Sequence, residues 1–344
     1  MGGGAWTGFI VGKRGLLPER TDMPIRAFLY DSQAEDHVVA LTATAVAALA
    51  SNQLLWIDLD AYADAELDEA AGILALPGEA VRNLKQKLRR PRLDIYGAFF
   101  HVNVTAICSD ETEFRTCELD FIVGSNYVLS AHREAVAFLR NFADQVKRDS
   151  QLGDLQPAAM VSALLDWLIT DYFRAIERFE AEVDTLEALA LRFRSEKDML
   201  AKLVASRRRI SQIRRALSPN REVFAALARP DFQALPASTG VTTFRTLHDR
   251  LERALETVDN ARDLVVGAFE ILATQTTQRT NHTIKLLTLV SVALLPASLI
   301  ASLMGMSFRT RIYETGDRGF WTVIGSVAVL AISTLALARR FRWL

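Results

Sequence analysis

Gln278–Ser307 reads QRTNHTIKLLTLVSVALLPASLIASLMGMS. Lys285 and Arg309 bracket a stretch, Leu286 to Phe308, that holds no charged side chain. About twenty apolar residues, rising ~1.5 Å each, are enough to cross a bilayer core. The run is not uniformly oily. Steps of three and four residues pick out Asn281, Ile284, Thr288, Ser291, Leu295, Ser298, Ser302 and Gly305, the spacing of one helix face. Leu286, Leu289, Val290, Leu294 and Ile300 lie largely off that stripe. A helix with small and hydroxylated residues along one face either lines a path or packs tightly against other membrane helices. The residues alone leave both readings open.

The stretch also resembles the CorA superfamily of divalent metal ion transporters, including its ZntB branch. The residues that carry the resemblance are Arg279-Thr280-Asn281, Ile284-Lys285-Leu286-Leu287-Thr288, Leu295-Pro296-Ala297-Ser298 and Gly305-Met306-Ser307. They are similar to the end of the family's stalk, its first membrane helix and its closing signature loop. That signature normally reads Gly-Met-Asn, or Gly-x-Asn in ZntB proteins, whereas Ser307 stands third here. The resemblance implies a funnel-shaped homopentamer. It would have an α/β cytoplasmic domain, long stalk helices and two transmembrane helices. It also implies pore positions for Asn281, Ile284, Leu287, Leu295 and Ser298, with Gly305, Met306 and Ser307 at the ion entry. The departure at Ser307 falls where family members meet the incoming hydrated ion.

Composition bounds the rest. The 344 residues are half hydrophobic with a net charge of -1, so no basic surface is available to neutralise phosphates and no nucleic-acid partner is expected. Most charge lies before Lys285 and most continuous apolar sequence after it. Two cysteines, Cys108 and Cys117, indicate no disulfide framework and read as reduced thiols in a hairpin. Five scattered histidines form no zinc pattern. No P-loop or nucleophile motif is present, so an enzyme is not expected.

Toward the N-terminus, residues 1–24 read as a mobile leader, with Met23 as a second candidate start. Residues 25–150 read as a mixed α/β domain. IRAFLY and LLWIDLD are strands, and AFFHVNVTAI with FRTCELDFIVG forms a hairpin. NYVLSAH is a further strand. Helices are expected from Asp64 to Leu76, Glu79 to Leu88 and Glu134 to Val146. Asp58, Asp60 and Asp64 form a carboxylate cluster that reads first as caps and second as a metal site. Residues 158–284 read as a helical stalk region. One amphipathic helix runs from Ala158 to about Arg194 and a basic one from Ser195 to Leu217, with Ser218-Pro219 as an N-cap and first helical residue. A helix from about Val241 to Met306 would span roughly 100 Å and needs partners, which implies a homo-oligomer.

Toward the C-terminus, residues 285–308 are the expected first transmembrane helix, 309–318 an external loop, 319–338 the second, and 339–344 a basic tail. Arg339, Arg340 and Arg342 place both termini in the cytoplasm by the positive-inside rule, in a multi-pass protein of the plasma (inner) membrane. The expected function is permeation of Mg2+ or Co2+ through a homopentameric pore lined by the Asn281 to Ser302 stripe. A ZntB-like Zn2+ transporter, coupled or not to protons, is one alternative. A non-conducting oligomeric scaffold or sensor is the other. No resident cofactor is expected. The cation is cargo and, by resemblance, a regulatory ligand, with Asp263 and Glu270 as candidate positions.

Overall fold

The computed structural model describes residues 25–31, 37–50, 52–86, 90–108, 114–146, 156–190, 196–230, 232, 240–304 and 317–340. The leader, most of the expected loop 309–318 and the tail 341–344 lie outside the described residues. The elements divide between two compact units, residues 1–182 with 205–263, and residues 183–204 with 264–344.

The first unit is built on a seven-stranded sheet: β1 (Ile25–Asp31), β2 (His37–Val39), β3 (Gln53–Asp60), β4 (Arg92–Ile95), β5 (Phe100–Ile107), β6 (Thr116–Val123) and β7 (Tyr127–His132). Its order is β2-β1-β3-β7-β6-β5-β4. Only β3 and β7 run parallel; every other pair is antiparallel. β3 is buried along six consecutive residues, as expected of a central strand covered on both faces. Leu55, Ile57 and Leu59 point to one face, where α2 (Asp64–Ile73) and α3 (Gly78–Lys85) add Leu67, Ala70 and Leu84. Trp56 points to the other, edge-on to Phe142 of α4 (Ala137–Val146). Phe142 in turn meets Trp167 of α5 (Pro157–Ala190).

The helices that follow are α6 (Glu196–Leu217), α7 (Asn220–Leu227), α8 (Gly240–Met304) and α9 (Asp317–Arg340). Tyr172 of α5 donates to the Thr105 carbonyl at 3.0 Å. Asn220 of α7 brackets the same peptide, accepting from Thr105 N–H at 2.8 Å and donating to its carbonyl at 3.0 Å. Arginines on the helices take acid partners: Arg209 with Glu182 at 2.7 Å, Arg214 with Asp259 at 2.8 Å and Arg221 with Glu252 at 2.6 Å. Two arginines of the basic run of α6, Arg209 and Arg214, thus pair with acids on neighbouring helices.

In the second unit, Leu186, Met199, Leu203 and Ala268 form a small core. Along α8 the buried residues are Phe244, Leu247, Leu251, Ala254, Val258, Ala261, Val265 and Ala268, spaced alternately three and four apart as in a helix-packing seam.

Three elements escape the sequence reading. β2 and β4 are short edge strands, and α1 (Ala43–Ala47) is held by its Thr42 cap, which accepts from Ala45 N–H at 3.2 Å. One local expectation fails. Pro219, in helical conformation and with no side-chain cap, occupies the N-cap of α7 in place of Ser218.

The carboxylate cluster is resolved in favour of charge pairing. Arg26 bridges Asp58 at 2.9 Å and Asp60 at 3.0 Å, Arg140 reaches Asp60 at 2.9 Å, and Arg133 pairs with Asp64 at 2.6 Å. The Trp56 indole N–H donates to Ser130 Oγ at 3.0 Å, and Ser130 donates to Asp58 Oδ1 at 2.6 Å. His132 Nε2 lies 3.2 Å from the same oxygen, while its Nδ1 lies 2.7 Å from the Glu134 carbonyl. Burial opposes charging of both partners. The hydrogen bond and charge of His132, with help from Ser130 and Arg26, still hold the Asp58 carboxyl below its ordinary value. Asp58, the Glu134 carbonyl and Asp60 raise the imidazole above its ordinary value.

Because the imidazole is raised, its stabilisation is complete below an ordinary histidine value of about 6.5 and is lost as pH climbs through the folded value. The thermal midpoint of the full chain is therefore expected to fall over that alkaline interval, and to fall less steeply in His132→Asn. Asp58→Asn, which strands buried cations, is expected to destabilise the first unit by about 3 kcal/mol or more, read as a lowered unfolding midpoint.

Candidate pore-lining helix

Asn281, Ile284, Leu287, Thr288, Ser291, Leu295, Ser298 and Ser302 all lie on α8, whose helix continues unbroken through Pro296 to Met304. Apart from Leu287 at its edge, they recur every three or four residues and so share one side of that helix. Asn281, Thr288, Ser298 and Ser302 are exposed, and Ser291 is half-buried. Ile284 is 54% exposed, Leu287 65% and Leu295 68%. Gly305, Met306 and Ser307 lie outside the described residues.

The buried seam of α8 stops at Ala268. Among the described residues, none from Phe269 onward is buried. Exposed apolar side chains then occur all round the helix: Leu286, Val290, Val292, Leu294 and Leu299 are open on other sides from the stripe. α9 behaves likewise, with Phe320, Trp321, Ile324, Val329 and Ile332 exposed. Contiguous apolar surface of this kind marks contact with another protein or with lipid. Among the described residues no helix is long and apolar enough to cross a membrane.

The polar residues of this region have a common geometry. Thr277, Thr280, Thr283 and Thr288 each donate their hydroxyl to the carbonyl four residues back, at 2.8 to 3.0 Å. This back-bonding uses the hydroxyl hydrogen within the helix. The oxygen lone pairs remain, so each threonine presents an acceptor to whatever faces it. Such neutral acceptors suit a cation or its hydration water and offer little to an anion.

Asp259, an acid of the same helix, is taken by Arg214. Asp263 and Glu270 are exposed on α8. Among the described residues, no group of three or more His, Cys, Asp or Glu side chains is placed to hold a metal ion. In the sequence, Gln275, Thr276, Thr277, Gln278 and Thr280 read as neutral, polar turns that suit a hydrated cation path or a solvated neck equally; Thr283 escaped that reading. The recurrence of threonine just before Lys285 was the available signal.

Comparison with known proteins bears on what such a helix does. The family described as CorA-like Mg2+ transporter protein matches residues 51–340. The chain belongs to that family. Its members are transporters, which sets enzyme chemistry aside. The cobalt/magnesium transport protein CorA of Thermotoga maritima is 25% identical over 288 residues, covering 80% of this chain and 78% of that protein. The complete CorA magnesium transporter of Methanocaldococcus jannaschii superposes with a TM-score of 0.78 at 18% identity, over 92% of this chain and 98% of its own. The full-length CmaX protein superposes at 0.68 with 22% identity, over 94% of this chain and all of its own. At these identities the superpositions establish the fold: an α/β domain followed by long helices, as in full-length CorA.

Thr288→Val removes an oxygen from the stripe but keeps shape and helix. The back-bonded hydroxyl adds little to stability, so the variant is expected to keep its helix content and to unfold within about 0.5 kcal/mol of the parent. Circular dichroism with thermal melts of the full chain in detergent checks this.

Proposed function

We propose that this chain conducts divalent cations, Mg2+ or Co2+, across the plasma (inner) membrane through a homopentamer. The C-terminal third of α8 would line the pore. The observation that carries the reading is the uncovered apolar surface beyond Ala268 with a stripe of neutral oxygens along one side. In this reading lipid covers α9 and the outer face of α8, and neighbouring copies meet along α8. Residues 25–150 form the cytoplasmic domain and 158–284 the stalk. Residues 285–308 and 319–338 cross the bilayer, and both termini stay in the cytoplasm.

Mg2+ sheds its water reluctantly. Rings of neutral oxygens can hold the hydrated ion through its waters, so no carboxylate cage is required. In a five-fold assembly Asn281, Thr288, Ser291, Ser298 and Ser302 supply such rings. Ile284, Leu287 and Leu295 supply apolar constrictions, which close a narrow pore by dewetting. Gly305, Met306 and Ser307 form the entry. Ser307 keeps an oxygen but is shorter than the usual Asn and lacks its amide donor, so ion capture is weakened or altered. Asp263 and Glu270 are the proposed positions for a regulatory cation on the stalk.

The same Ser307, together with Arg309, Arg311 and Arg318 in a loop that also holds Glu314 and Asp317, favours a second reading. A positive outer mouth repels cations, which suits an assembly that keeps the architecture and acts as a scaffold or sensor.

Flux into liposomes holding the purified assembly separates the readings. Mg2+ or Co2+ uptake driven by voltage alone is expected, with Ser307→Asn changing affinity or selectivity and Leu295→Ser raising the leak. Zn2+ uptake that grows with a pH gradient would move the protein to the ZntB-like alternative. No flux of any ion through a folded pentamer would leave the scaffold or sensor.

A further inference from the structure

β4 pairs with β5 only from Phe100 to Asn103, while β5 runs on to Ile107. Beyond that point Asn220 takes up both backbone groups of Thr105. Thr105 also lines a cavity of about 850 Å3 that lies within the first unit. Small-molecule sites occupy about 300–1,000 Å3. The sheet contributes Glu118 and Asp120 to the same wall. Thr105 pairs with Glu118, and residues two apart on a strand share a face, so all three look out from one side of the sheet. Buried Tyr62, Leu84 and Pro91 give the cavity an apolar side.

Its charges are of both signs and come from different walls. Arg133 is spent on Asp64 at 2.6 Å and lies over the Tyr62 ring. Arg215 of α6 gives only its Nε, to the Ser211 carbonyl at 3.1 Å. Arg90 stands two residues before Arg92, the first residue of β4. Among the described residues neither Arg90 nor Arg215 has a carboxylate partner, and both are exposed. The acids are Glu118 and Asp120 of β6 and Glu134 after β7. Glu134 accepts from the neutral Cys108 thiol at 3.2 Å, which does not offset its charge. Asp120 is 2% exposed and is held by Asn103 and His101. β5 lies between β6 and β4. The backbone at Glu118 and at the head of β4 is therefore separated by two strand spacings, ~10 Å, with the neutral Thr105 between.

A plain anion in this cavity meets carboxylates, and a plain cation meets arginines that no acid offsets. We propose that the cavity binds a zwitterion of the lysine kind, with an ammonium group and a carboxylate at opposite ends of an aliphatic chain. The ammonium donates to Glu118 and Glu134 on the β6–β7 side. The carboxylate takes charge-assisted hydrogen bonds from Arg90 and Arg215, a geometry that the guanidinium fork suits. The methylene groups lie against Tyr62, Leu84 and Pro91. The site belongs to the sheet unit and does not depend on what α8 conducts.

The experiment is isothermal titration calorimetry on the purified full chain in detergent at neutral pH. The probes are lysine, ε-aminocaproate, cadaverine, which lacks the carboxylate, and caproate, which lacks the ammonium. Lysine and ε-aminocaproate are expected to bind at least about tenfold more tightly than cadaverine or caproate, since each loses the charged hydrogen bonds of one end. Arg90→Gln and Arg215→Gln are each expected to weaken ε-aminocaproate at least about tenfold while leaving cadaverine and the thermal midpoint unchanged. Glu118→Gln is expected to weaken ε-aminocaproate and leave caproate unchanged. Asp120 is not substituted, because it holds the hairpin. No saturable heat with lysine or ε-aminocaproate would overturn the proposal. So would cadaverine or caproate binding as tightly as ε-aminocaproate, or ε-aminocaproate affinity that neither arginine variant alters.

Discussion

An apolar surface that no other described residue covers governs this molecule. Up to Ala268, α8 is a helix of ordinary globular habit, with a buried seam every three or four residues and paired charges beside it. Beyond Ala268 the seam ends, and leucines, valines and isoleucines stand open on every side. A helix satisfies its backbone internally, so such a segment can leave water without stranding a peptide group. Among the described residues nothing covers those side chains. The proposed pore reading rests on this one imbalance.

The same helix keeps its polar atoms modest. Its threonines spend their hydrogens on their own helix, which avoids an unsatisfied donor in apolar surroundings at little energetic cost. What faces outward is a set of uncharged acceptors. The contrast lies in the first unit, where Asp58 and His132 are paired inside the core and the partly exposed Arg26 reaches the same carboxylate. That arrangement survives only because each charge has an opposite neighbour at hydrogen-bond distance. The carboxylates at the C-terminal end of β3 are therefore engaged by Arg26 and Arg140, despite an acidic spacing that invites a metal.

Much of the fold was legible because its signals are periodic. LLWIDLD and NYVLSAH are apolar runs of strand length, and they became the parallel centre of the sheet. The hairpin from Phe100 to Val123 announced itself by a polar segment between two β-rich runs. β2 and β4 were invisible, because HVV is too short to show alternation and RLDI carries two charges of the Arg92–Asp94 ion pair. Ser218 misled as a cap because the proline after it took helical angles at the N-cap itself. Along α8 the periodic stripe gave the candidate residues. Periodicity alone could not say whether that stripe faces solvent, lipid or another helix, since all three favour the same small side chains.

The hairpin shows the limit from the other side. Nothing in the spacing of Cys108 and Cys117 tells which face each sulfur takes, and Glu134, the carboxylate that accepts from Cys108, follows β7 far along the chain. Register decides it. A hairpin shifted by one residue would turn Cys117 to the opposite face from Cys108. Asp120 accepts from Asn103 at 2.9 Å and lies 2.7 Å from buried His101, so polar contacts buried in the hairpin hold β5 and β6 in step.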